Sequence, residues 1–306
     1  MANVDELIHN INAFVLKETE NDQSLEDLLP EFEGKEKIET FVEDFEAKIA
    51  KLLRRQRKRI LEAVKTFVSK DDEELLDALL SYLKGQVFKD DAFAVELSEE
   101  ATKFLDMSVQ EFSKVIMDSI DQDIQFEVLS QRTITWIQEW SFQLGEIMKN
   151  TSHKAVEKVL VEGIKQGHGI DKIENALSEL PEFNRSRARS TAITEVLTAS
   201  SVAQQESYAQ SPAVTHKKWL HSYAKYSKPR ENHLELDGTI VGKFDDFVIP
   251  GSEERAQYPR DIRLSPKERI NCHCALSPVV DEAIFALSVD EREKIRQQAL
   301  DELNAA

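Results

Sequence analysis

Apolar positions recur at steps of three and four residues through most of the first half of the chain. Val4, Leu7, Ile8, Ile11, Phe14 and Val15 form one such stripe. A longer one runs through Ile38, Phe41, Val42, Phe45, Ile49, Leu52, Leu53, Ile60, Val64 and Phe67, and Leu75, Leu76, Leu79, Leu80 and Leu83 continue the pattern over 71–83. This period predicts amphipathic helices. Ser108 and Glu111 have capping-box spacing, which predicts a helix start ahead of Phe112, Val115, Ile116 and Ile120. Ile134, Trp136, Ile137, Trp140, Leu144, Ile147 and Met148 mark a further helix, and 154–164 another. Gly167-His168-Gly169 reads as a hinge, followed by a short helix over 170–180 ended by Pro181 and a longer one over 185–209. From Val214 the pattern changes. Trp219, Thr239-Ile240-Val241, Phe247-Val248-Ile249 and Cys274-Ala275-Leu276 are short strand-like pieces between turn residues. Residues 289–303 return to helical periodicity, with Ser288 and Glu291 as a second capping box.

Proline and glycine sharpen this division. Six of the eight prolines fall between 212 and 278, and only two of the nine glycines lie in the first 144 residues. Helix interiors exclude proline, so long helices fit the first half and not 212–280. The expected fold is mostly α in an N-terminal, partner-binding region, 1–166. An α+β domain with a small sheet follows over 167–282, then a helical tail over 283–306.

The net charge of -18 means that the chain as a whole repels nucleic acid, so any DNA contact is local. The charge is uneven: residues 185–280 carry +3 and the remainder -21. Cys272 and Cys274 are the two cysteines, which excludes a disulfide framework. The first residues, Met-Ala-Asn-Val-Asp-Glu, carry no signal-peptide pattern, and no apolar run approaches the ~20 residues of a membrane span. Folding in a reducing cytosol is expected.

Four features hold candidate chemistry. Lys51, Arg54, Arg55, Arg57, Lys58 and Arg59 lie opposite the apolar stripe of their helix. They form either a solvated face paired with neighbouring acids or a docking stripe for DNA phosphates or an acidic partner. In Asn271-Cys272-His273-Cys274 the two thiols, two residues apart, share one side of an extended chain. They are either two small buried thiols or half of a Zn²⁺ site, although zinc motifs usually place two to four residues between cysteines. His233 and Asp237, four apart, are candidates for completing such a site, with His216 and His221 as further choices. His233 with Glu235 or Asp237 also has the composition of an acid/base pair. No nucleophile elbow, P-loop, His-Glu-x-x-His or dinucleotide fingerprint accompanies it. Glu195, among Ile193, Val196 and Leu197, is expected to be partly buried and to need a cation, such as Arg230 or Lys218.

The order of these pieces resembles the Mu F-like minor head proteins of tailed bacteriophages, the phage head morphogenesis family. The matching residues are Thr194-Glu195-Val196, Trp219, Arg230, His233, Asp237-Gly238, Pro250-Gly251 and Asn271-Cys272-His273-Cys274, across 170–282. The chain departs from the family pattern at Ile193 and His273, each usually Arg, and at Tyr223-Ala224-Lys225-Tyr226, where an acidic residue often stands. The resemblance implies a non-enzymatic protein that associates with portal and scaffold in the procapsid and remains in the virion near the portal. It implies assembly in the host cytoplasm and a contact with double-stranded DNA for packaging or ejection. It implies structural roles for Glu195, Trp219, Arg230 and Gly238. Such domains also stand ahead of toxin modules, but the 24 residues after Glu282 are too few for one. The alternative reading is a metal-dependent hydrolase or nuclease built on His233, Asp237, Cys272 and Cys274.

Overall fold

A computed structural model describes residues 24–67, 72–223 and 229–305. The apolar stripe from Val4 to Val15 lies outside the described residues. The long helices are α1 (Ile38–Thr66), α2 (Asp72–Tyr82), α3 (Phe93–Ile120), α4 (Gln131–Lys165), α5 (Ile170–Ser178), α6 (Arg185–Gln210) and the tail helix α9 (Val289–Ala305). Between α6 and α9 lie β1 (Val214–Leu220), α7 (Glu231–Leu236), β2 (Ile240–Gly242), β3 (Phe247–Val248), β4 (Arg255–Ala256), α8 (Pro266–Arg269) and β5 (Ala275–Val280). The mostly α first half, the small sheet and the helical tail are therefore as the sequence pattern predicts.

The compact units do not follow sequence order. One holds 44–102 and 139–189; the other holds 24–43, 103–138 and 190–305. The three consecutive segments expected from proline placement differ from this because α1, α3, α4 and α6 each contribute one stretch to each unit.

Two helix boundaries differ from the sequence reading. Ser108 does not cap a helix: it is buried inside α3, and its hydroxyl donates to the Phe104 carbonyl at 2.7 Å. A serine bonded back four residues needs no helix end. Residues 131–165 are one helix rather than two, and Thr151 and Ser152 are accommodated in the same way, donating to Ile147 O at 2.7 Å and Met148 O at 3.1 Å.

The core of the first unit gathers Ile60 and Val64 of α1, Leu79 of α2, Val156 and Leu160 of α4, Ile173 and Leu177 of α5, and Phe183. A π turn over Leu83–Val87 adds Leu83 and Val87. Gly145 of α4 meets the start of α3 so closely that a Cβ would sit 2.4 Å from the Ala94 carbonyl oxygen.

In the second unit β1 is the centre of an antiparallel sheet ordered β2-β1-β5. Trp219 pairs with Leu276 and Leu220 with Ala275. Helix α6 fits this sheet with small and polar side chains, every residue from Thr194 to Gln210 being buried. Gln204 clamps β5 from both sides, donating to Leu276 O and accepting from Leu276 N, each at 3.1 Å. The tail is tied down by buried arginines: Arg292 pairs with Asp121 and Asp123, and Arg296 with Glu127 and Glu293. Its capping box forms as expected, with Glu291 N donating to Ser288 Oγ and Ser288 N to Glu291 Oε2 at 2.9 Å.

The Gly145 contact gives a test. Gly145→Ala forces backbone apart and should destabilise by roughly 1–3 kcal/mol. Gly85→Ala, where a Cβ meets nothing within 4 Å, should leave stability unchanged or slightly raised. Thermal melts of the two variants check the pair.

Candidate metal centre

The second unit brings His233, Cys272 and Cys274 together, their ligand atoms all within 4.8 Å of one another. Each arrives by a separate device. His233 sits in the last turn of α7. Arg230, just before that helix, fixes its start by donating to Lys267 O and Ile270 O, both at 2.7 Å. Cys272 follows Asn271, whose φ of 53° turns the chain sharply after α8. Asparagine is among the few residues that tolerate this left-handed conformation. Cys274 leads directly into β5.

Arg260 fixes the two cysteines. Its guanidinium is buried and donates to Cys272 O at 2.6 Å, Cys274 O at 2.7 Å, Leu197 O at 2.9 Å and Ser201 Oγ at 2.5 Å. The thiols thus hang from a backbone that is hydrogen-bonded to α6 through one side chain.

His233 Nδ1 lies 3.5 Å from Cys272 Sγ and 3.7 Å from Cys274 Sγ. On the other side of the ring, Nε2 is 3.1 Å from Glu268 Oε2. Asn232 Nδ2 donates to that oxygen, at 3.1 Å, whereas His233 Nε2 makes no hydrogen bond among the described residues. Trp219 is wholly buried and meets the His233 ring edge-on, with centroids 5.7 Å apart. The three ligand side chains are at most 4% exposed.

The thiols titrate as a pair. The hydrogen bond from Cys274 holds Cys272 well below the usual thiol range, with help from His233 and the Arg260 charge. Burial, and then Cys272, push Cys274 well above it.

The other predicted site residues fall as follows. Asp237 stands outside the cluster, because α7 ends at Leu236 and the chain then turns. Its carboxylate accepts from His221 N and from Tyr223 Oη, both at 2.7 Å. His216 is exposed on β1, and Glu235 is exposed on α7. The acid beside His233 is Glu268, 35 residues further along the chain. Neither Glu268 nor Arg260 stands out in the sequence, since neither falls in a short motif. Glu195 is buried as expected, and its charge acts on Arg260. Gly238 takes a φ of 75° in the turn into β2, with its N–H on Trp219 O at 2.9 Å. Pro250-Gly251 forms the turn between β3 and β4, Gly251 having a φ of 73°.

In the basic stripe, Arg55 pairs with Glu96 and Lys58 with Glu62. Arg57 donates to Ser178 O and Arg59 to Asp90 O. Lys51 and Arg54 are exposed and make no ion pair among the described residues.

No described helix is long and apolar enough to cross a membrane. The family model for phage Mu protein F like protein matches residues 154–277. A Bacillus subtilis (strain 168) protein described as uncharacterized protein YqbB is 51% identical over 301 residues, 98% of this chain and 99% of its own length. No solved structure matches. The matched span holds Glu195, Trp219, Arg230, His233, Gly238 and the Asn-Cys-His-Cys loop that the fold assembles in one place, and the chain belongs to the phage Mu F-like family of head morphogenesis proteins.

Proposed function

We propose that this protein is a non-enzymatic minor head component. It associates with the portal, alongside scaffold, during procapsid assembly in the host cytoplasm and stays in the virion. The family match carries this reading. The long helices supply apolar surface compatible with partner helices: Val95 on α3 is 63% exposed, and Phe142 and Ile147 on α4 are 62% and 53% exposed. A hydrolase built on His233, Asp237, Cys272 and Cys274 has less support. The three clustered side chains are buried, and Asp237 is engaged by His221 N and Tyr223 Oη.

Co-expression with the portal protein of the same phage, followed by co-sedimentation at several salt concentrations, tests the proposal. The expected result is co-sedimentation, with fewer copies of this chain than of portal. No association at any salt concentration overturns it.

The proposal includes a sequence-independent contact with double-stranded DNA through the α1 stripe. With Arg55, Arg57, Lys58 and Arg59 engaged within the unit, Lys51 and Arg54 are the cations left for phosphates. Two cations against a net charge of -18 give weak binding that is lost as salt rises. Changing Lys51 and Arg54 together to Gln should abolish the gel shift and leave the melting temperature close to that of the wild type. A gel shift that survives the change removes the stripe as the DNA site.

A further inference from the structure

We propose that His233, Cys272 and Cys274 form a structural zinc site whose fourth ligand is His221. The proposal is independent of the portal reading.

The distances suit the metal. Zinc bonds of ~2.3 Å to sulfur and ~2.0–2.1 Å to nitrogen, at tetrahedral angles, separate the two ligand atoms by about 3.5 Å. The sulfur–nitrogen distances here are 3.5 and 3.7 Å. Both sulfur–nitrogen separations are thus those of a tetrahedral shell, and all three donor atoms lie within 4.8 Å of one another.

The alternative, thiols hydrogen-bonded to an imidazole, fits less well. One ring nitrogen faces two sulfurs, and a single nitrogen shares one proton with one of them. On the far side of the ring, Nε2 stands 3.1 Å from the Glu268 carboxylate without hydrogen-bond alignment, so Glu268 backs the ring as a negative charge. A carboxylate behind a histidine is the usual outer support of a metal-bound imidazole. Arg260 pins the carbonyls of both cysteines and Asn232 holds Glu268, so the two thiols hang from a backbone that is fixed before any ion arrives.

The fourth ligand is the residue that follows β1. The antiparallel register ends at Leu220 with Ala275, so His221 and Cys274 are the residues just beyond this last pair on the two strands. The His221 ring stands outside the cluster of the other three ligands and turns in as the ion binds. His221 is 91% buried, and its Nδ1 makes no hydrogen bond among the described residues. Its backbone N–H is held by Asp237, and its ring meets the Tyr223 ring edge-on, with centroids 5.4 Å apart. Two thiolates and two imidazoles in a tetrahedral, buried site select zinc over harder cations. Four protein ligands leave no open position, so the ion joins the end of β1, α7 and the Cys-His-Cys loop and does no chemistry.

The test uses the full chain, purified from zinc-replete medium without chelator. Elemental analysis should find stoichiometric zinc, and exchange with cobalt(II) should give the intense visible bands and sulfur-to-metal charge transfer of a tetrahedral thiolate site. Cys272→Ser and Cys274→Ser should each lose the metal. Because these variants are at risk of not folding, Glu268→Gln serves as the second arm. It keeps all four ligands and should weaken zinc affinity by ~10–100-fold. His221→Ala should keep the charge-transfer band but change the visible bands as the coordination shell changes. Zinc-free wild-type protein that takes up no cobalt, with a melting temperature unaffected by chelator, overturns the site. An unchanged cobalt spectrum in His221→Ala overturns the fourth ligand.

Discussion

The guanidinium of Arg260 stands at the one point in the second unit where helix α6, the Asn-Cys-His-Cys loop and the start of β5 have to agree. It is 2% exposed, and its two terminal nitrogens make four hydrogen bonds: two to the cysteine carbonyls and two to Leu197 and Ser201 of α6. A buried charge without such partners costs several kcal/mol, so the loop is held to the geometry that keeps them. The residue also adopts a φ of 66°, a conformation that costs a non-glycine residue roughly 1–2 kcal/mol. The guanidinium interactions hold it there against that cost. The negative groups around it, Cys272, Cys274 and Glu195, favour its charged form against the pull of burial. Lysine cannot take its place, since one ammonium does not reach four acceptors in a planar fork.

The residues that carry the family resemblance mostly do positional work around this point. Trp219 fills the space between His233 and Phe247, with ring centroids 5.7 and 5.2 Å away. Gly238 lets the chain turn from α7 into β2 against the Trp219 carbonyl. Arg230 ties the start of α7 to the α8 region. Glu195 adds a buried negative charge near Arg260. These roles make a rigid element, and rigidity suits a protein whose work is assembly, because an ordered surface loses little entropy on docking.

Much of the fold is legible in the sequence, for physical reasons. Helix α1 shows a clear stripe because one face is buried and the other is charged and wet. The tail is marked by a capping box that forms as written. Helix α6 shows the opposite case. It is buried on every side from Thr194 to Gln210, so it has no polar face to set against an apolar one, and its Ala, Ser and Gln content conceals the burial. Ser108 misleads because a serine that bonds back to the preceding turn looks the same in sequence as one that caps the next. At the site, Cys272, Cys274 and His233 are visible as residue types with a side in common. Glu268 and Arg260 are not, since only the tertiary fold brings them within reach. Asp237 has helical spacing from His233, but α7 ends one residue too early for that spacing to apply.

If Arg260 positions the cysteine loop, native-state thiol reactivity should report it. In the wild-type chain Cys272 and Cys274 are 1% and 4% exposed, and should resist a thiol reagent as long as the unit stays folded. In Arg260→Lys the carbonyls of both cysteines lose their shared donor, and both thiols should label many times faster at a denaturant concentration where circular dichroism still shows native helix content. The measurement is run with and without chelator, so that protection by a metal is separated from protection by the backbone. Labelling of Arg260→Lys at the wild-type rate in both conditions would contradict the account.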